Sequence, residues 1–421
     1  MKFTFPKQAA LAVWATALVA GHAFAAEITV LALDNNVSIE ALVAKFNAQN
    51  PKDRVNLKKV SYQFTIESMP VQVAAGKGPD IGNTNELGGL AKFYLDLSPY
   101  IDTKYWEREF GPTLAWLRGT DQKSKAIYGL PEGLTVSGGF VNLTLFAQAG
   151  VPVPKPGATW EEWAAASHKV AKATNTPIAM EMDRSGHRFA SLAISYGAKL
   201  VDEQGMPVID DGLKRAMHQF VKWHADGVMP MDLWGAIGGA TQRDNFTDFI
   251  NGQVVFYYGG SWSLRKMDKE VGDLFDWKVV DSPCGPSSCT GMPGGGAAVA
   301  FKNTKEPKLV ARFLEFLAQE ENQRDGANRS RSIPASATLV KTGIKYDGAS
   351  RRTQEGLDTF MRQVPKMAPA AYNFQGWPFA RSYMNAMTTR ISQVLQKELT
   401  VDAAAARIKD DVELAIKAAK K

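Results

Sequence analysis

"CGPSSCTGMPGGGAAVAFKN", residues 284–303, concentrates glycines, prolines and both cysteines of the chain in twenty positions. A glycine-rich stretch invites a nucleotide reading, and the order of its parts argues against one. A phosphate loop of the Walker type needs G-x-x-x-x-G-K-[ST] between a strand and a helix. Here Gly294–Gly296 lead into the strand-like "AAVAF", and no Lys-Ser/Thr follows. A dinucleotide turn places its glycines after a strand and before a helix, the reverse of this order. Glycines ahead of a buried strand instead permit unusual torsions and close backbone approach. They fit a chain that crosses between domains, or a backbone pressed against a ligand.

The elements around this stretch alternate. "EITVLAL" (27–33) reads as a strand, and "SIEALVAKFNAQNP" as a helix with Ile39, Leu42, Val43 and Phe46 at helical spacing, Ser38 as N-cap and Pro51 as stop. "RVNLKKVSY" is a second strand, and "IESMPVQVAAGKGPDI" a helix ending near Gly76 before strand entry at Ile81. Strand, helix, strand, helix, strand is the α/β pattern with parallel pairing. Further helices begin at Thr159, with Glu162 completing a capping box, and cover 211–227, 306–323 and two C-terminal segments. "NFTDFINGQVVFYYGGSW" reads as helix, glycine turn and buried strand. The 421 residues exceed one ordinary core, yet no long linker divides them, which implies interleaved domains joined by crossing strands.

The first 25 residues carry Lys2 and Lys7, an apolar run from Ala9 to Ala20 and small residues at Ala23 and Ala25. That is the form of a secretory signal peptide cleaved after Ala25, since about 12 apolar residues fall short of the ~20 that span a bilayer. Loss of Lys2 and Lys7 lowers the formal charge of +6 by two, to +4. No dense basic block interleaved with aromatics points to nucleic acid. Outside the cytoplasm Cys284 and Cys289 read as a disulfide closing a small loop. A zinc site would need two further ligands, and the nearest histidine in sequence is His224.

Catalytic signatures are missing: there is no G-x-S-x-G elbow and no H-E-x-x-H. Ten tryptophans stand out, several beside glycines: Trp262 after "YYGGS", Trp234 before "GAIGG", Trp377 after "NFQG". Flat indole faces match the C–H faces of sugar rings, with nearby polar groups taking the hydroxyls. Simple packing is the competing reading for each.

With these segments the chain resembles the periplasmic solute-binding proteins of ABC importers, in the large carbohydrate-binding branch that includes maltose-binding protein. "KFNAQNPKDRVNLKKV", "QVAAGKGPDI", "LDLSPYID", "IYGLPEG", "AGVPVPKPGATWEEW", "FINGQVVFYYGGSW", "GGGAAVAFKNTKEPKLVARFLEFL" and "SIPA" carry the resemblance, in the family's order. Where the family often has Tyr-Asn-Lys this chain has Val141-Asn142-Leu143, so no ligand role is drawn from that segment. The resemblance implies a two-lobed α/β periplasmic binding protein fold of type II. Each lobe is then a mostly parallel sheet flanked by helices, and hinge strands cross between them. Lobe 1 would be 26–133 plus 291–335 and lobe 2 134–290 plus 336–421, with the glycine-rich stretch as the return path.

It also implies capture of a mono- or oligosaccharide between the lobes, no cofactor, no catalysis, a monomer in the periplasm and a membrane permease as partner. By position, lobe 1 would contribute Asp34, Asn35, Gln63, Phe64, Asn85 and Glu86. Lobe 2 would contribute Asp183, Arg184, His187, Trp234, Trp262, Phe374 and Trp377, and Arg331, before the Ile-Pro element, would be an anion anchor. Turn capping or surface pairing is the alternative for each polar residue. Two other functions compete. One is an exported carbohydrate-active enzyme with Glu132 and Asp183 as acid and base. The other is an importer component for a polyamine, a phosphate ester or ferric iron. Tyr257-Tyr258 resembles an iron site, but adjacent strand residues point to opposite faces.

Overall fold

The computed structural model describes residue 1 and residues 26–85, 87–121, 123–235 and 245–419. The expected signal peptide falls on 2–25 and lies outside the described residues, as does Glu86. Strands β1 (Ala26–Leu33), β2 (Asp53–Val60), β3 (Ile81–Thr84) and β4 (Gly129–Pro131) come first in the chain. They are followed by β5 (Thr135–Asn142), β6 (Ile178–Met182), β7 (Val254–Gly260), β8 (Trp277–Val280), β9 (Pro293–Gly294) and β10 (Ala297–Ala300). One sheet has the order β2-β1-β3-β10-β4, the other β6-β7-β5-β8, with β9 paired to the start of β5.

Each sheet runs one way except for a single strand. β1 pairs parallel with β2 and β3, while β10 is antiparallel to both β3 and β4. In the second sheet β6 and β7 are parallel, and β5 is antiparallel to β7 and β8. The reversed strands are the two that receive the chain from the other lobe. A chain arriving across the gap enters a sheet at the carboxyl ends of its other strands, so it must run against them. The expected two-lobed α/β architecture is therefore present, with most strands of each sheet pointing one way and one reversed strand making the pairing mixed.

Local sequence explains the elements. β1 is apolar on both faces, with Ile28, Val30, Leu31 and Ala32 buried, as a central strand requires. The helix Ile39–Gln49 buries Ile39, Leu42, Val43 and Phe46. Its cap differs from expectation. Ser38 makes no side-chain cap, and Asn36 Oδ1 accepts instead from the N–H groups of Ser38 (3.2 Å) and Ile39 (3.2 Å). The Thr159 capping box forms as expected, with Thr159 N–H donating to Glu162 at 2.7 Å.

Three crossing segments lie side by side at the hinge. Glu132 N–H donates to Gly296 O (3.1 Å), and Leu134 N–H to Ile333 O (2.9 Å). Gly295 has φ 127°, and a Cβ there would lie 2.3 Å from Gly133 O. Only glycine meets both conditions, so the glycine-rich stretch serves backbone-on-backbone crossing. Cys284 and Cys289 are disulfide-bonded. Their loop accepts from Trp160 N–H through Cys284 O (3.0 Å) and donates from Ser287 N–H to Ser195 O (2.9 Å). It thereby braces the helices Trp160–Thr174 and Gly186–Ser195.

Candidate functional site

A cavity of about 420 Å³ opens between the lobes. It is lined by Asn35 after β1, Asn83 and Asn85 at the end of β3, Asp183 after β6 and Trp262 after β7. All these positions are carboxyl ends of strands, where an open α/β sheet leaves backbone and side chains free to meet a ligand. The crossing segments form the floor through Glu132, Thr135, Gly295 and Gly296. The helix Gly186–Ser195 adds His187 and Arg188, and the helix Ala380–Leu395 adds Arg381.

Lobe 2 presents an interlocked cluster. Arg188 lies over the Trp262 ring, 4.0 Å from its centroid, and its Nε is 3.4 Å from Asp183 Oδ2. Asp183 also accepts from the Tyr257 hydroxyl and from Asn245 N–H. Arg188 Nη1 is 2.6 Å from His187 Nδ1, and His187 Nε2 is 3.0 Å from Pro293 O. A guanidinium only donates, so Nδ1 accepts and Nε2 carries the proton given to Pro293. Burial first, and then repulsion from Arg188 and Arg381, push the imidazole down to about 3, against the Pro293 and Gln375 hydrogen bonds. The ring is neutral at ordinary pH, and its orientation is fixed.

The lobe 1 side is amide-rich and poor in donors. Asn83 donates to Glu132, and Asn85 Nδ2 to Gly295 O at 3.1 Å. Asn83 Oδ1 and Asn85 Oδ1 have no hydrogen-bond partner among the described residues. Buried amide oxygens of this kind call for donors. Burial pushes the Glu132 carboxyl up to about 7, with the Asn83 amide pulling it back. Across the cleft, Arg381 Nη2 donates to the Tyr62 hydroxyl at 3.2 Å.

Of the residues expected at the site, Asn35, Asn85, Asp183, His187, Trp262 and Trp377 line the cavity. Trp377 is 9% exposed and donates to Gly205 O, so only part of its ring reaches the opening. Glu86 lies outside the described residues, and the other expected residues are placed elsewhere, for identifiable reasons. Trp234 sits in the short helix Met231–Trp234, packs on Phe220 and donates to Met182 O (2.8 Å), which makes it a core residue. Phe374 is fully buried edge-on against Tyr383. Arg184 is buried and donates to Ser392 Oγ (3.0 Å). Arg331 caps a helix end through Asn328 O and Asp347 O. Gln63 is exposed beside Glu67, Phe64 packs partly buried on the core, and Asp34 is exposed. Tyr257 and Tyr258 are both buried in different cores, donating toward Asp183 and paired with Ser282, so they do not meet at one ion.

Sequence reading missed Tyr62, Asn83, Arg188, Gln375 and Arg381 as lining residues and gave Glu132 only an enzymatic role. Arg188 follows His187 directly, but helical spacing alone does not tell which face meets the gap. Asn83 lies two residues before Asn85 and so points to the same side of the chain, a signal that was available.

The sequence pattern of the family described as bacterial extracellular solute-binding protein matches residues 41–349. An arabinooligosaccharide-binding protein of Bacillus subtilis is 24% identical over 299 residues, covering 66% of each chain. The sn-glycerol-3-phosphate-binding periplasmic protein of Shigella flexneri is 22% identical over 382 residues, covering 86% of this chain and 83% of its own. Among solved structures, the cyclic alpha-maltosyl-1,6-maltose binding protein from Arthrobacter globiformis superposes with a TM-score of 0.76 at 19% identity. The overlap covers 93% of this chain and 99% of that one. With two α/β lobes, three crossing segments and a polar cleft at the strand ends, the chain belongs to the bacterial extracellular solute-binding proteins.

Proposed function

We propose that the protein captures a carbohydrate between its lobes and hands it to the membrane permease of an ABC importer. The observation that carries this reading is the composition of the cleft. An indole face, Trp262, stands near amide oxygens that lack donors among the described residues, at Asn83 and Asn85. Sugar rings supply both an apolar C–H face and hydroxyl donors. The Bacillus arabinooligosaccharide-binding protein and the Arthrobacter cyclic alpha-maltosyl-1,6-maltose binding protein, which this chain resembles, support the same class. Asn35, Tyr62, Asn83 and Asn85 would make the contacts from lobe 1, and His187, Arg188, Trp262 and Arg381 those from lobe 2. The lobes would be 26–133 plus 291–335 and 134–290 plus 336–421, acting as a monomer after export and cleavage behind Ala25. Ligand touching both lobes stabilises the closed form over the open one, and the closed form is what the permease reads.

No bond need be broken in this scheme. The enzymatic alternative is weakened by Asp183, which is held by Arg188, Tyr257 and Asn245 rather than left to a substrate. A phosphate ester is the second reading, favoured by the guanidiniums of Arg188 and Arg381 in the lining and by the Shigella relative's name. A thermal-shift screen of mono-, di- and oligosaccharides, uronates and sn-glycerol 3-phosphate separates the two. A ligand at a hundred times its dissociation constant adds about 2.7 kcal/mol. Stabilisation by neutral oligosaccharides supports the first reading. Stabilisation by the phosphate alone replaces it with the second, and fragmentation of the sugar restores the enzyme.

A further inference from the structure

Glu132 stands where the cleft and the hinge meet. Its backbone joins two crossing segments through Gly296, and its side chain lines the cavity. The Asn83 amide is its hydrogen-bond partner, and Asn83 in turn keeps one oxygen without a donor. Burying a carboxylate that has one neutral partner is costly, and a further donor relieves that cost. In a closed cleft the donor has to come from the occupant.

We propose that Glu132 is a specificity-determining residue of the cleft. Its carboxylate receives a hydroxyl donor from the sugar, and its seat on the crossing strand couples lobe closure to an occupant carrying that hydroxyl. This deepens the carbohydrate reading and rests on it. An occupant without the hydroxyl leaves the carboxylate underbonded, so it binds less tightly and closes the lobes less completely.

Among the described residues, the elements packed on Glu132 bring no charge to it. β3 offers Asn83 and Asn85, the second crossing segment Gly295 and Gly296, and the third Ser332 and Ile333 beside Gly133. The charged and titratable groups of the cavity, Tyr62, Asp183, His187, Arg188 and Arg381, stand on other elements, and Glu86 lies outside the described residues. With its carboxyl pushed up to about 7, a proton competes with the ligand hydroxyl for the same oxygens near neutrality. Affinity therefore falls as pH drops below that value and levels off above it. A complex that needs the carboxylate binds about tenfold more weakly at pH 6 than at pH 8. His187, held near 3, does not titrate in that window. A ligand presenting an anion to Glu132 gives the opposite slope.

The test uses the mature protein and its Glu132→Gln variant, with maltotriose and α-1,5-arabinotriose as probes in calorimetric titrations from pH 5.5 to 8.5. The expected result is a roughly tenfold gain in affinity from pH 6 to pH 8 in the parent and less than twofold in the variant. Carbon-13 spectra of the ligand-free parent, labelled at glutamate carboxyls, are expected to show one signal titrating near pH 7. Absence of that signal, a flat parent profile, or an equal slope in both proteins overturns the role of Glu132 while leaving carbohydrate capture standing. Failure of both sugars to bind at every pH overturns the carbohydrate reading, and this proposal with it.

Discussion

The same substitution, glycine to alanine, is expected to act with opposite sign at two helical positions. Gly186 opens the helix Gly186–Ser195 and lies against the helix Ala380–Leu395. A Cβ there would sit 2.3 Å from Met384 O, 2.5 Å from its Cα and 2.6 Å from its carbonyl carbon. All three are backbone atoms, so no side chain can rotate away and one helix must shift by the better part of an ångström. Overpacking of this kind costs about 1–3 kcal/mol. Gly326, inside the helix Glu320–Ser330, is the control: its Cβ would make ordinary contacts with Ser38 Oγ at 3.7 Å and Leu42 Cδ1 at 3.9 Å. There alanine removes backbone freedom from the unfolded chain and gains roughly 0.5–1 kcal/mol. Urea unfolding followed by circular dichroism reads both. Gly186→Ala should lower stability and Gly326→Ala raise it. The displaced helix carries Arg381 and its bond to Tyr62, so Gly186→Ala should also weaken ligand binding. A Gly186→Ala protein within about 0.5 kcal/mol of the parent, or two variants moving the same way, refutes the steric argument.

Three other outcomes are expected. Glu132 has a raised carboxyl, so its contribution to stability is present in full below the usual carboxylate range and is lost as pH rises through about 7. Glu132→Gln should therefore stabilise the ligand-free protein at pH 8 by on the order of 1–2 kcal/mol, reduced for partial exposure, with the gap closing at pH 4.5 in the same urea assay. Trp262→Ala should weaken binding of the sugar found in the screen about tenfold to a hundredfold by calorimetry, through loss of the stacking face and of the Arg188 seat. Replacing Cys284 and Cys289 by serine removes a five-residue separation and should cost about 2 kcal/mol in the same unfolding assay, without changing ligand affinity.

The fold was largely legible because strands and helices alternate with strong apolar patterns, and because the glycines precede a strand rather than a helix. Site residues were harder to find. Positions tied to strand ends, such as Asn85, Asp183 and Trp262, could be named because the end of a strand fixes what meets the gap. Those on helices were found unevenly: His187 was named, while Arg188, the next residue of the same helix, was not, although it covers an indole. Trp234 and Phe374 show why aromatic content beside glycine misleads. An indole N–H is satisfied by a backbone carbonyl as readily in a core as at a surface, and composition does not distinguish the two.

The placement of β10 bears on how the protein is made. It lies between β3 and β4, and among the described residues β4 has no other neighbour in that sheet. The first lobe thus stays unfinished until residues 297–300 have left the ribosome, by which time most of the nascent chain is already out. Long-range pairing of this kind delays locking. For a polypeptide bound for a translocation channel, that delay keeps its leading half threadable.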